Sequence, residues 1–235
     1  MVHINGRFGS MSYNIVKDSE TIFREGLDYI QAQYPFYNKE ILIDEYNNKK
    51  YSFQMIENSI SGILEISEIV KIIVFDCLIG NSDRHHSNWG VIPCVKKSAN
   101  GECICLKLCP LYDNGSSLCA YEDNSDIEIF FKDKMKFEAL VNTKSKSAIG
   151  WENERPIKHF DLLKKLKENE YELTISYIEK IKDNKRRYEK IIENVSFREK
   201  KKNVRNIWFE RWGVKENGKR FSIFNLDRCQ YWKQI

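Results

Sequence analysis

Ile79-Gly80-Asn81-Ser82-Asp83-Arg84-His85-His86-Ser87-Asn88-Trp89-Gly90 and, further on, Pro110-Leu111-Tyr112-Asp113-Asn114-Gly115 decide how the rest of the chain is read. An Asp, an Asn five residues later and a second Asp-x-Gly beyond an intervening hairpin is a layout used by phosphoryl-transfer sites. The first Asp of such a site orients or deprotonates the attacking hydroxyl. The Asn and the second Asp hold magnesium ions that bridge nucleotide phosphates.

The residue types suit the task. A transferring phosphoryl group spreads its charge over several oxygens, so catalysis rests on positioning and on neutralisation by cations. Mg²⁺ prefers hard oxygen ligands and binds through one or two protein groups plus phosphate oxygens. One carboxylate (Asp113) and one amide oxygen (Asn88) fit that habit. Asp83 has to stand near the ions without becoming a ligand, and the loop before Asn88 allows that separation. Trp89 to Val95 reads as a strand, Ser98-Ala99-Asn100-Gly101 as a turn, and Cys103 to Leu108 as the returning strand. Such a hairpin returns Asp113 to the side of Asn88. Asp, Asn and Gly also populate ordinary turns, and an isolated Asp-x4-Asn would be read that way. The whole combination, from apolar helix to Asp-x-Gly, favours the catalytic reading.

Leu78-Ile79-Gly80-Asn81-Ser82-Asp83-Arg84-His85 with Asn88-Trp89-Gly90 resembles the C-terminal kinase domain of bacterial HipA-type serine/threonine kinases, in their HipA/CtkA-like branch. The Asp-Arg-His-x-x-Asn core is also similar to the catalytic loop of phosphoinositide 3- and 4-kinases. Leu111-Tyr112-Asp113-Asn114-Gly115-Ser116-Ser117-Leu118 resembles the family's metal-binding segment, with Asn114 where a typical Asp-Phe-Gly has Phe. Lys146-Ser147-Ala148-Ile149-Gly150-Trp151 is similar to a downstream stretch of the same branch. The resemblance runs roughly from Gly6 to His159 and is densest over 78–118.

It implies a protein-kinase-like C-lobe, mainly α with a small β-hairpin. Asp83 would be the catalytic base, with His85 in the catalytic loop more as its anchor than as a proton carrier. Asn88 and Asp113 would hold magnesium. Arg84 is grouped with Asn88 and Asp113 at the nucleotide, its role open between touching phosphate and pinning the loop. ATP and Mg²⁺ are the implied cofactors, and a protein hydroxyl is the implied acceptor. Trp89 reads as core, His86 as exposed and without a role, and Ser116 and Ser117 as turn caps rather than phosphorylation sites. Lys144 and Lys146 read as solvated.

Of the 235 residues, 42% are hydrophobic, enough for the core of one domain or of a domain with an appendage. No apolar run approaches the roughly 18–20 residues that span a bilayer, and the N-terminus lacks the basic-then-apolar layout of a signal peptide. Seven cysteines, an odd number, then argue for reduced thiols and a cytoplasmic location. Cys103, Cys105 and Cys109 share strand parity and lie near His85-His86 in sequence. Without a Cys-x2-Cys pair, a hairpin face packed with small apolar thiols is a better expectation than a metal site. From Arg155 onward 22 Lys/Arg stand against 12 Asp/Glu, a net of +10 that leaves −6 on residues 1–154. Acids interleave with these bases, as from Lys180 to Glu193, and Lys200-Lys201-Lys202 is the one tight basic run. Solvated helix faces are expected rather than direct nucleic-acid binding.

Ser19 with Ile22, Phe23, Leu27 and Ile30 reads as a capped helix to about Gln33, Tyr34 to Tyr51 as loop, and Ser52 as the start of a second helix to about Ile60. Glu65 to Ile79 is the strongest helix. Ile66, Ile69, Val70, Ile73, Val74 and Cys77 form its wide apolar stripe, and Gly80 stops it, delivering Asp83 onto a loop. Segment 121–150 carries few signals and is expected to cover the cleft. His159 to Lys167, Leu173 to Lys182 and Asp183 to Glu193 read as helices, with Val195 to Phe209 a weaker fourth. The resulting division is a core over 1–165, a helical tail over 166–210 and an unassigned extension over 211–235.

Kinases place a twisted sheet, a phosphate-covering loop and a strand Lys ahead of the catalytic loop. Here 82 residues precede Asp83, and they read as helix and loop. Gly6-Arg7-Phe8-Gly9-Ser10 is the sole Gly-rich candidate, with no Val-Ala-x-Lys-like strand after it. The N-lobe is therefore expected to be missing: supplied by a separate polypeptide as in split HipA-like toxin–antitoxin systems, lost from a remnant, or dispensed with in a binding domain. Three functions stay open. The first is a HipA-like protein serine/threonine kinase C-lobe with an N-lobe or antitoxin partner. The second is a lipid or small-molecule kinase on the same core. The third is a catalytically inactive kinase-like fragment that binds a protein.

Overall fold

A computed structural model describes residues 2–4, 7–9, 14, 22–98, 101–117, 122, 124–169, 173–184 and 187. The short antiparallel pair β1 (Val2–Ile4) and β2 (Arg7–Gly9) comes first, then β3 (Arg24–Glu25) and α1 (Gly26–Gln33). A sheet of two-residue strands follows: β4 (Tyr37–Asn38), β5 (Ile43–Asp44) and β6 (Lys49–Lys50). Next are α2 (Phe53–Ile60), α3 (Ile66–Ile79) and the hairpin β7 (Gly90–Ser98) and β8 (Gly101–Leu108). The chain continues through α4 (Asn124–Lys132), α5 (Lys134–Ala139) and a π-helical turn over Leu140–Lys144. The pair β9 (Lys146–Ser147) and β10 (Ile157–Lys158), then α6 (His159–Glu168) and α7 (Leu173–Asp183), complete the described elements. Helices therefore alternate with small antiparallel sheets, more sheet than the one hairpin expected from the sequence.

α3 organises the core. Ile69, Val70, Ile72, Ile73, Val74, Cys77, Leu78 and Ile79 are all buried, so the helix is covered on most sides and not along one stripe. α6 and α7 pack against it, and α1 packs against α2. Gly80 ends α3 at φ 69°, in the left-handed region that a side chain would strain. α2 begins where the sequence places it, with the Ser52 hydroxyl accepting from the Met55 N–H at 3.3 Å. Phe53 stacks on Trp151 with ring centroids 5.6 Å apart, and its N–H donates to the Gly150 carbonyl, tying the 146–151 stretch to the core.

Several expectations are corrected. The helix that ends at Gln33 starts at Gly26, because Arg24 and Glu25 pair with Val91 and Gly90 as an edge of the hairpin sheet; the Ser19 cap lies outside the described residues. A Cβ at Gly26 would lie 2.2 Å from the Trp89 ring, so only glycine fits where this helix meets the His86–Trp89 segment. Tyr34 to Tyr51 is not plain loop but the β4-β5-β6 sheet, turned at Leu42 and Asn48, whose φ values are 60° and 51°. Within the stretch that showed few signals, residues 124–144 form α4, α5 and the π-helical turn.

The cysteines also depart from expectation. Cys94 and Cys105, register partners across the hairpin, form a disulfide, so these two thiols are not reduced. β8 is largely exposed, including Cys103, so no thiol-packed face exists there. The readings for Val195 to Phe209, for 211–235 and for most of Asp183 to Glu193 lie outside the described residues. Among the described residues, no helix is long and apolar enough to cross a membrane.

Candidate functional site

The site is built around one buried ion pair. Asp76, near the end of α3, and Arg84 are both inaccessible, and Arg84 Nε and Nη2 donate to the Asp76 carboxylate at 3.0 and 2.8 Å. Burial pushes the Asp76 carboxyl up, and the Arg84 and Asn81 donors oppose that push. The rest of the guanidinium reaches both loops. Nη1 donates to the Asn88 carbonyl at 2.8 Å and to the Tyr112 carbonyl at 2.7 Å, and Nη2 donates to Asn114 Oδ1 at 2.6 Å. Planar, donor-only and always charged, an arginine can hold such a fan of acceptors together. At 0% exposure, with its donors engaged by the two loops, it pins them together.

A second bridge runs beside the first. The Asn81 N–H donates to the Asp76 carbonyl at 2.9 Å, and Asn81 Nδ2 donates to the Asp76 carboxylate at 3.2 Å. Asn81 Oδ1 accepts from the Asp83 N–H at 3.0 Å and from the Ser116 hydroxyl. The segment carrying Asp83 and the segment carrying Asp113 are thus fastened twice to the same carboxylate. Ser116 is a buried tie in this bridge.

Three oxygen-bearing side chains stand around these anchors. Asp83 and Asp113 are exposed, and neither carboxylate has a hydrogen-bond partner among the described residues. Asp113 sits at φ 48°, a left-handed conformation that Asp tolerates better than most residues. Both of its neighbours in the chain are held by Arg84. Asn88 is buried, and its Nδ2 donates to the Asp83 carbonyl at 2.7 Å, which leaves Oδ1 as an acceptor. His85 is half-buried, its Nδ1 accepting from the Ser87 N–H at 3.2 Å, which steadies the loop. Among the described residues, no group of three or more His, Cys, Asp or Glu is arranged to hold a metal ion, so the Cys/His alternative does not form. Asn88 Oδ1 and the Asp113 carboxylate are each hard oxygens of the type Mg²⁺ prefers.

Aromatic residues brace the loop from outside. Tyr51 Oη donates to the Arg84 carbonyl at 3.3 Å and accepts from Trp89 Nε1 at 3.0 Å. Tyr112 Oη donates to the Ser87 carbonyl at 2.8 Å, and Phe23 meets the Tyr112 ring edge-on. Trp89 is fully buried, as expected. His86 is not exposed: at 5% accessibility its Nδ1 pairs with Tyr37 Oη at 3.0 Å, and its carbonyl accepts from the Leu27 N–H.

Burial first, and then the nearby cations His85, Lys39 and Arg155, lower the His86 pKa to about 4. Its neutral form thus contributes stability that is full above the unfolded value near 6.5 and is lost as pH falls toward about 4. Urea unfolding at pH 7 and pH 4 should show an acid-side loss of about 3 kcal/mol from this residue. A His86→Gln variant should lack that share, and an equal slope in both proteins would show His86 to be uninvolved.

Sequence reasoning missed Asp76, Asn81, Asn114 and Tyr112 as members of this assembly. No protein-family model matches the chain, and no curated protein matches it. Among solved structures it is similar to the crystal structure of the Helicobacter pylori proinflammatory kinase CtkA, with a TM-score of 0.62 and 16% sequence identity. The likeness covers 81% of this chain and 64% of that one, so the chain spans under two thirds of the kinase it resembles. At this identity the likeness shows a kinase-like fold.

Proposed function

We propose that the chain is the C-lobe of a HipA-type protein serine/threonine kinase, transferring phosphate from Mg-ATP to a protein hydroxyl with a separately supplied N-lobe or antitoxin-like partner. The observation that carries this reading is the double tie of the Asp83 and Asp113 segments to Asp76. Two motifs far apart in sequence are fixed together while both carboxylates stay exposed and without donors among the described residues. The donor set fits the implied ion, since the Asp113 carboxylate and Asn88 Oδ1 are hard oxygens. When bound, magnesium would supply neutralisation of phosphate charge. Asp83 would orient the acceptor hydroxyl and take its proton, and Arg84 and Asn81 would fix the backbone that presents it. A protein-binding module without catalysis is the second reading, favoured by the strongly exposed pair Val95 (60%) and Ile104 (81%) on the hairpin. A lipid or small-molecule acceptor would use the same core.

Thermal melting with Mg-ATP separates these readings. A ligand at about 100 times its Kd stabilises a protein by roughly 2.7 kcal/mol. The full chain alone should show a weak rise at millimolar nucleotide, enlarged by the protein encoded beside it. No rise in either mixture would remove the kinase reading and leave the binding module.

A further inference from the structure

Asn114 stands where the buried anchor meets the open mouth of the site, and the two ends of its carboxamide have different surroundings. Oδ1 accepts from Arg84 Nη2 at 2.6 Å. Chemistry fixes that orientation, because a guanidinium carries donors only and must meet the oxygen. The amide nitrogen is then turned away from Arg84 on an exposed residue, and no described residue accepts from it. On one side in the chain is exposed Asp113. On the other is exposed Gly115, where even an added Cβ would meet nothing closer than Asp113 Oδ1 at 3.6 Å.

We propose that Asn114 is an anion-binding residue: Arg84 holds its oxygen, and its Nδ2 donates outward to a phosphoryl oxygen of the nucleotide at Asp113. The inference rests on the nucleotide-binding reading above and adds a contact to it. The need for such a donor is plain from the charges. Arg84 is buried with its N–H groups engaged by Asp76, Asn88, Tyr112 and Asn114, so it offers nothing to an anion. Asp83 and Asp113 are exposed carboxylates that repel a polyphosphate. A neutral amide beside them donates to phosphate without being captured by either carboxylate as a flexible lysine would be. Its direction is preset by the buried ion pair, so little ordering accompanies the contact.

The isosteric change Asn114→Asp separates this role from a purely structural latch. An aspartate keeps an acceptor for Arg84, now charge-assisted, and replaces the outward donor with an anionic oxygen. The full chain is titrated with Mg-tripolyphosphate and with Mg-ATP, followed by ¹H–¹⁵N NMR of the side-chain amides. The Asn114 amide pair is identified by its absence from the Asn114→Asp spectrum. It should move in both titrations, and the variant, with a melting temperature no lower than wild type, should bind about tenfold to a hundredfold more weakly. If wild type binds but the Asn114 amide stays still and the variant binds equally, the proposal is overturned while nucleotide binding stands. A variant that melts well below wild type would overturn the arrangement in which Arg84 holds the oxygen. If no resonance moves with either ligand, whether the chain is titrated alone or together with the protein encoded beside it, the nucleotide reading falls and takes this contact with it.

Discussion

Arg84→Met should cost about 3–5 kcal/mol of folding stability, the loss typical of breaking a buried ion pair from one side. Methionine fills much of the same space, so the loss is electrostatic rather than a cavity. Asp76 is left as a carboxylate at 2% exposure, with Asn81 Nδ2 as its remaining described side-chain donor. The Asn88 and Tyr112 carbonyls lose their guanidinium partner at the same moment.

The pH dependence follows from Asp76. Without Arg84 its folded pKa rises further above the unfolded value, so the penalty is largest at neutral pH and shrinks as pH falls and the carboxyl protonates. Urea denaturation of Arg84→Met at pH 7 and pH 5 should show that relief. Arg84→Lys should rescue little, because a single ammonium cannot reach acceptors lying on three sides. The double variant Arg84→Met/Asp76→Leu should recover much of the loss, since replacing both partners removes the buried charge altogether. If Arg84→Met melts like wild type at neutral pH, the ion pair does not hold the two loops together.

This same pair shows where sequence reading stops. α3 and its end were legible because apolar periodicity and a terminal Gly80 are local signals. The hairpin was legible because Asn100-Gly101 lies between two strand-like runs. β3 was not: Arg24 and Glu25 become a strand by pairing with Val91 and Gly90, a contact between distant segments that overrides the helical spacing of Ile22, Phe23 and Leu27. The strands of β4-β5-β6 are two residues long and show no period at all.

Residue types alone suggested the candidate Asp83-Asn88-Asp113 pattern, but what fastens the two segments carrying it could not be read from them. Arg84 stayed undecided because its partner Asp76 sits inside an apolar helix and looks like part of a polar face. A carboxylate within the run Ile72-Ile73-Val74-Phe75-Asp76-Cys77-Leu78-Ile79 has nowhere dry to point without a cation, and that was the available signal. His86 was misjudged because Tyr37 and Leu27, which cover it, come from segments whose placement depends on the folded core.

Asp83→Asn should lower phosphorylation of the substrate by about 10²–10⁴-fold, the range for removing a positioned general base. It should do so without a comparable change in melting temperature. The structure separates the two effects because Asp83 uses only its backbone to hold the loop. Its N–H donates to Asn81 Oδ1, and its carbonyl accepts from Asn88 Nδ2 and from the His85 N–H. The carboxylate is exposed and takes part in none of these ties, so an amide of the same shape leaves the scaffold standing. Radiolabelled phosphate transfer by the chain together with the protein encoded beside it, wild type against Asp83→Asn, measures the first quantity and calorimetry the second. Asp113→Asn should reduce the rate comparably and also raise the magnesium concentration needed for half-maximal rate, because it weakens a proposed ion ligand rather than a base. Equal transfer rates in wild type and Asp83→Asn would exclude Asp83 as the base. A matched fall in rate and melting temperature would show that the carboxylate supports the loop instead of acting from it.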